Sequence, residues 1–180
     1  FTVGGGIRSV DDALKIFDSG ADKIAINTRA VQEPKLINTL SKRFGSQAVV
    51  LSVEAKNISE NKWEAYVESG RERTNLDVIN WVKKAADLGA GEVLLTSVDN
   101  EGTCKGFDNK LISSVSNSVN IPIIASGGFG DTNDIKEAEK AGANGIAIAH
   151  MLHYKKMTIR EIRQYAIDSK IKVRNFNQWY

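Results

Sequence analysis

Gly20-Ala-Asp-Lys-Ile-Ala-Ile-Asn27 and Gly142-Ala-Asn-Gly-Ile-Ala-Ile-Ala149 are two versions of one phrase. The offset that lays the second on the first also lays Gly127-Gly128 on Gly5-Gly6, with no gap between. A glycine pair after one strand, a helix of fixed length, a helix-ending glycine and a second strand therefore recur together. Internal self-similarity of this kind is a structural signal that needs no outside alignment. The competing reading is two glycine-rich turns alike by chance.

Strand-like and helix-like segments alternate on either side of that phrase. Apolar strands are expected at Phe1–Val3, Lys23–Asn27, Gln47–Val53, Glu92–Ser97, Ile121–Ser126 and Gly145–Ala149. Helices are expected at Val10–Ser19, from Pro34 through Phe44, and at Asp77–Leu88, Asn109–Val119, Asp131–Ala141 and Thr158–Ser169. Ser9 suits the first N-cap, and Asp11 and Asp12 suit the positive end of that helix. Lys62–Val67 reads as part of a polar hairpin excursion, and the tail after the last helix reads as surface. Strict alternation argues for a parallel α/β fold. Three strands separate the two glycine-ended ones, so the repeat is four βα units long, and two repeats make the eight that close a TIM barrel. The fold class expected is a (β/α)8 barrel represented by six of its eight units, strands three to eight, as a single domain over residues 1–180. About 75 residues, two units at usual barrel spacing, are expected before Phe1. An open six-stranded sheet is the alternative, and it does not account for the repeat.

Bulk properties narrow the function classes. The chain has 180 residues, 42% hydrophobic and 26% charged, with a formal net charge of +2. So balanced a charge gives no support to a nucleic-acid or membrane role. No apolar run approaches the roughly 20 residues of a membrane helix. The single cysteine, Cys104, precludes an internal disulfide framework and suits a reducing cytoplasm. There is no metal-ligand cluster, P-loop, GxSxG elbow or dinucleotide fingerprint, so neither a metal nor a cofactor is expected.

In a TIM barrel the active site lies at the C-terminal ends of the strands. Gly4-Gly5-Gly6 and Gly127-Gly128 follow strands directly, where the lack of a Cβ lets backbone N–H groups approach an anion. Helix starts after Asn27 and Ala149 would add further donors. Paired across a duplication, these features point to two phosphate sites on opposite sides of one mouth. A plain tight turn is the alternative for either glycine run.

The residues at this point resemble a known family. FTVGGGI (1–7), ADKIAINTRAV (21–31), FGSQAVVLSVEAK (44–56), GAGEVLLTSVDNEGTCKGFD (89–108) and IPIIASGGFG (121–130) are similar, in order, to the third through seventh strands of the cyclase subunit of imidazole glycerol phosphate synthase. A sibling phosphoribosyl isomerase barrel shares the glycine sites but fits the third and fourth blocks less well. The resemblance implies a lyase of histidine biosynthesis. Ammonia from a glutaminase partner at the N-terminal face would cross the barrel and meet a bisphosphorylated aminoimidazole precursor. The products would be imidazole glycerol phosphate and an aminoimidazole carboxamide ribotide.

The same resemblance assigns roles. Glu54 and Glu101 are the catalytic acids, each standing where the family usually has aspartate; a further first-strand acid has no counterpart in this chain. One phosphate falls to Gly6, Asn27 and Thr28, the other to Gly102, Gly128, Ala149 and His150, where His150 replaces a small hydroxyl residue. Ser69 and Thr96 match positions near the substrate. Lys23 and Glu92, at strand starts, match members of a charged ring that gates ammonia entry. Asn75 replaces a glycine in the stretch after Ser69, so that loop is expected to move differently. For Glu54 a salt bridge to Lys56 is the structural alternative, and for His150 and His153 it is helix-start packing. Two other functions remain open: an ammonia-delivering barrel for amidation of surface sugars, and a phosphate-ligand module without catalysis. These 180 residues alone are expected to be inactive and prone to swap or aggregate through open sheet edges.

Overall fold

The computed structural model describes residues 1–173. Six parallel strands form one curled sheet in the order β1 (Thr2–Gly4), β2 (Lys23–Ile26), β3 (Val49–Ser59), β6 (Glu92–Ser97), β7 (Ile123–Ser126), β8 (Gly145–Ala147). An antiparallel excursion, β4 (Lys62–Val67) and β5 (Glu72–Asp77), hangs from the far end of β3. The helices are α1 (Val10–Asp18), α2 (Thr28–Gln32), α3 (Lys35–Phe44), α4 (Val78–Asp87), α5 (Asn109–Ser116), α6 (Asn133–Lys140), α7 (His150–His153) and α8 (Ile159–Asp168). This is the arrangement of a TIM barrel over six of its βα units. The part of the tail at 174–180, expected at the surface, lies outside the described residues.

Alternation along each strand separates the two faces. Ile24, Ile26, Val49, Leu51, Val53, Val93, Leu95, Ile123 and Ala125 are each at most 3% exposed and face the helices. They pack against Leu36, Ile37 and Leu40 of α3, Trp81 and Val82 of α4, and Leu111 and Val115 of α5. Each such side chain taken out of water contributes roughly 1.5–3 kcal/mol, so the helix-facing layer is the main core. Intervening residues such as Ala25, Ser52, Glu54, Leu94 and Thr96 turn to the concave side and stay partly accessible.

The duplication holds at the level of backbone conformation. Gly20 and Gly142 end α1 and α6 at φ 102° and 103°. In both copies the glycine N–H bonds three residues back, to Phe17 or Glu139. The next N–H, of Ala21 or Ala143, bonds five back, to Ile16 or Ala138. That is the Schellman closure, which needs a residue in the left-handed region. Ser9, Asp77, Asp108 and Thr158 cap their helices through side-chain oxygens, and Thr158 with Glu161 forms a full capping box.

Several expected boundaries shift. β3 starts at Val49, after a 3-10 turn at Ser46–Ala48, and runs on to Ser59 because it pairs with β4 beyond the sheet. Glu54 therefore lies inside a strand rather than after one. β7 begins at Ile123 because Pro122 has no N–H for the ladder; its carbonyl still accepts from Val93 N at 2.9 Å. Asp77 caps α4 instead of opening it. Asn75, expected in a flexible loop, sits in β5 at φ 59°, where β4 and β5 slip register. Left-handed backbone explains why glycine is usual there, and asparagine is among the side chains that tolerate it best.

Candidate functional site

Parallel register brings every strand's C-terminal end to one rim: Gly4 pairs with Ala25, Glu54 with Thr96, and Ser126 with both Thr96 and Ala147. Glu54 leaves β3 on the concave side, between Val53 and Ala55, which go to the helices. Its Oε2 accepts from Asn27 Nδ2 and from Gly70 N, both at 2.8 Å. Asn27 Nδ2 also reaches Tyr66 O at 3.1 Å. Partial burial pushes the Glu54 carboxyl above its ordinary value; the Gly70 and Asn27 donors pull against this, and the charge of Glu68 adds to it. A carboxyl so balanced is suited to exchanging a proton in a cleft. Lys56 does not pair with Glu54; its Nζ lies 5.5 Å from the Tyr66 ring centroid.

Two cavities open on this rim, one for each copy of the repeat. The first, of about 770 Å³, is walled by Gly4–Arg8, Asn27, Thr28, Arg29, Glu54, Glu68 and Ser69, among others. A Cβ on Gly5 or Gly6 would meet nothing within 4 Å, so these backbones border open space. Glu68, Ser69 and Gly70 take φ 51°, 60° and 73°, and this left-handed turn folds over the cavity. It is fastened by Gly70 N on Glu54 and by Glu68 N on Thr28 Oγ1 at 3.2 Å. Asn27 lines this cavity, but its amide nitrogen is committed to Glu54 and Tyr66.

The second cavity, of about 130 Å³, is walled by Glu101, Gly102, Ser126–Phe129 and Ala147–His150. Gly102 borders open space, but the glycine pair is hemmed in: a Cβ on Gly127 would lie 2.6 Å from Ser97 O and one on Gly128 2.1 Å from Gly106 O, and Gly106 N bonds back to Gly128 O at 2.8 Å. His150 borders the cavity while its ring packs 4.5 Å from that of Tyr154, and Lys156 Nζ stands 3.3 Å from its Nε2. His153 meets the same tyrosine edge-on and does not line the cavity. α2 and α7 span only five and four residues. The macrodipole expected from helix starts after Asn27 and Ala149 is thus slight.

Each expected acid lines a different cavity. Thr96 pairs with Glu54 in register but lines neither. At the opposite end of the strands Lys23 Nζ meets Glu92 Oε2 at 2.7 Å, across the start of β3. The contributions of Tyr66, Glu68, Gly70, Arg8 and Arg29 are not marked in the sequence. Gly70, two residues after an acid and beside Ser69, is the one whose composition hints at a turn near the site.

A family described as histidine biosynthesis protein matches residues 1–158. This chain belongs to the histidine biosynthesis protein family. Among its relatives is "Imidazole glycerol phosphate synthase subunit HisF" of Prochlorococcus marinus (strain MIT 9515), 48% identical over 178 residues, 97% of this chain and 69% of the relative. Proteins of the same name from Endomicrobium trichonymphae and Pyrobaculum aerophilum are 43% and 45% identical over 96% of this chain, covering 66% and 68% of their own lengths. Membership of the histidine biosynthesis family fits the doubled site, since the glycine pairs, both acids and both cavity linings fall within the matched residues. No helix among the described residues is long and apolar enough to cross a membrane.

Proposed function

We propose that this chain is the cyclase subunit of imidazole glycerol phosphate synthase, acting in histidine biosynthesis with a glutaminase partner. The observation that carries this reading is the pairing of two glycine-lined cavities on one rim with a half-buried, doubly hydrogen-bonded Glu54 beside the larger of them. A bisphosphorylated aminoimidazole precursor would place one phosphate at Gly6 and Thr28 and the other at Gly102, Gly128, Ala149 and His150. Ammonia would enter at the Lys23–Glu92 end, the face where the glutaminase docks. Glu54 would move protons during addition of ammonia and ring closure, and Glu101 would act from the opposite wall. Ser69 and Thr96 would contact the substrate between them. No cofactor is invoked, and the cytoplasm is the expected site of action.

The extra methylene of glutamate in place of aspartate at both acids is compatible with this role. Gly70 N and Asn27 Nδ2 fix where the Glu54 carboxylate ends, which offsets the freedom the longer side chain brings. The test uses the full-length protein, with ammonium and the bisphosphorylated precursor, followed by formation of both products. Turnover that Glu54→Gln abolishes supports the cyclase. Intact phosphate binding without turnover would overturn it and favour a barrel that only conducts ammonia to another acceptor, as in sugar amidation.

A further inference from the structure

Glu101 stands in the segment that joins β6 to α5, and that segment is fastened at both ends to the hairpin of β3 and β4. Near its start Asp99 Oδ2 accepts from Asn57 N at 2.7 Å. At its end Asp108 Oδ2 accepts from the indole Nε1 of Trp63 at 2.9 Å. Asn57 and Trp63 face each other across β3 and β4, so both fastenings meet one rung of the hairpin. The β3–β6 register ends at Ala55 opposite Ser97, and from there outward the two aspartates continue the attachment through side chains. Trp63 is 2% exposed, so its N–H is shielded from water and costly to leave unpaired. Between the fastenings the segment is tied to itself, by Glu101 N on Ser97 O at 3.0 Å and Asn100 Nδ2 on Gly106 O at 2.9 Å. The same hairpin turns back to place Gly70 N on Glu54. One hairpin therefore reaches both acids, Glu54 directly and Glu101 through its loop.

We propose that Asp108 is a positioning residue that holds the loop of Glu101 against the hairpin of Glu54 through the Trp63 indole, and so sets how the two acids stand across the mouth. Its second oxygen, Oδ1, accepts from Leu111 N at 3.0 Å and caps α5. One short carboxylate thus joins a helix start to a strand of the excursion, and its charge strengthens both bonds. Asp108 and Trp63 line neither cavity, so they act through the loop rather than on a ligand. The proposal deepens the cyclase reading and rests on it for what the two acids do.

The test compares two variants of the full-length protein. Trp63→Phe keeps an aromatic ring but has no N–H, and Asp108→Asn keeps one oxygen, enough for the cap or for the indole but not for both. With ammonium and the bisphosphorylated precursor, each should lose about 10- to 100-fold in kcat, the scale of a small misplacement of a catalytic group, with KM little changed. The double variant should lose no more than the worse single one, because both break the same bond. In a Glu101→Gln background Trp63→Phe should cost little more, whereas a general loss of structure would lower the residual rate by the same factor again. Independently of turnover, the Glu101 and Thr103 amides should exchange hydrogen roughly tenfold faster in either variant, the scale of one lost hydrogen bond. Wild-type kcat in both folded variants, or equal losses with and without Glu101, overturns the positioning role. A wild type without turnover sinks the cyclase reading instead; the exchange rates then decide the fastening, and unchanged exchange at Glu101 and Thr103 overturns it.

Discussion

Asn27 and Glu54 are tied by a 2.8 Å hydrogen bond from Nδ2 to Oε2, joining the end of β2 to the adjacent strand β3. The resemblance gives Asn27 to a phosphate, whereas its amide nitrogen serves a carboxylate and the Tyr66 carbonyl. A positioning residue and a phosphate ligand fail differently. Asn27→Leu should lower kcat by about 100-fold, the scale of a roughly 1 Å misplacement of a catalytic group, with little change in phosphate affinity. Steady-state kinetics beside phosphate titration separates the two. A rise in KM at constant kcat would return Asn27 to the phosphate.

Glu54 makes stability depend on pH in a definite direction. Its carboxyl is raised above the ordinary 4.5, burial being the first cause. The folded chain therefore holds this proton more tightly than the unfolded chain. The resulting stabilisation is fully present below the unfolded value and is lost as pH rises through the folded one. Glu54→Gln removes that dependence, so the variant's Tm should gain on the wild type as pH rises from the ordinary glutamate value through the raised folded one. A Tm difference that stays flat with pH contradicts the account. The same variant should lose about 100- to 10,000-fold in turnover if Glu54 transfers a proton.

Gly6 and Gly128 are equivalent in the repeat but answer differently to one methyl group. Gly6→Ala meets no neighbour and bears only the left-handed penalty, about 1–2 kcal/mol. Its Cβ would occupy the space open to an anion, so phosphate affinity should fall with the fold intact. Gly128→Ala drives a Cβ onto the Gly106 carbonyl and should cost on the order of 4 kcal/mol or prevent folding. Thermal melts of the two variants check this, and equal losses would count against the second cavity's tight packing.

These contrasts mark what the amino-acid order makes legible. Backbone signals are local, so the glycines that end α1 and α6 and the caps at Ser9 and Thr158 can be read in place, and the repeat turns them into a strand count. A helix start after Asn27 is expected, but the shortness of α2 escapes such reading, because Thr28–Gln32 is a single turn with no side-chain cap hydrogen bond and Pro34 close behind. Side-chain direction escapes for another reason. Asn27, Glu54 and Gly70 meet only because β3 outruns the sheet and carries the hairpin whose turn folds back over the rim. No spacing rule links positions brought together by a two-strand excursion.

Lys23 and Glu92 give the last prediction. Their 2.7 Å bridge leaves the lysine side chain 36% and the glutamate 15% exposed. A pair this accessible contributes about 0–1 kcal/mol, so Lys23→Met should barely move the thermal midpoint. If the bridge is part of an ammonia entrance, the variant should instead alter coupling. Glutamine-driven turnover in the complex with the glutaminase should fall relative to turnover driven by added ammonium, because ammonium in solution can reach Glu54 from the open rim. The ratio of the two rates is the readout, and the double exchange Lys23→Glu with Glu92→Lys should bring it back toward the wild-type value by restoring the pair. A parallel fall in both rates would instead make the bridge a fastening between strand starts, since loss of strand alignment would displace Glu54 whatever the source of ammonia.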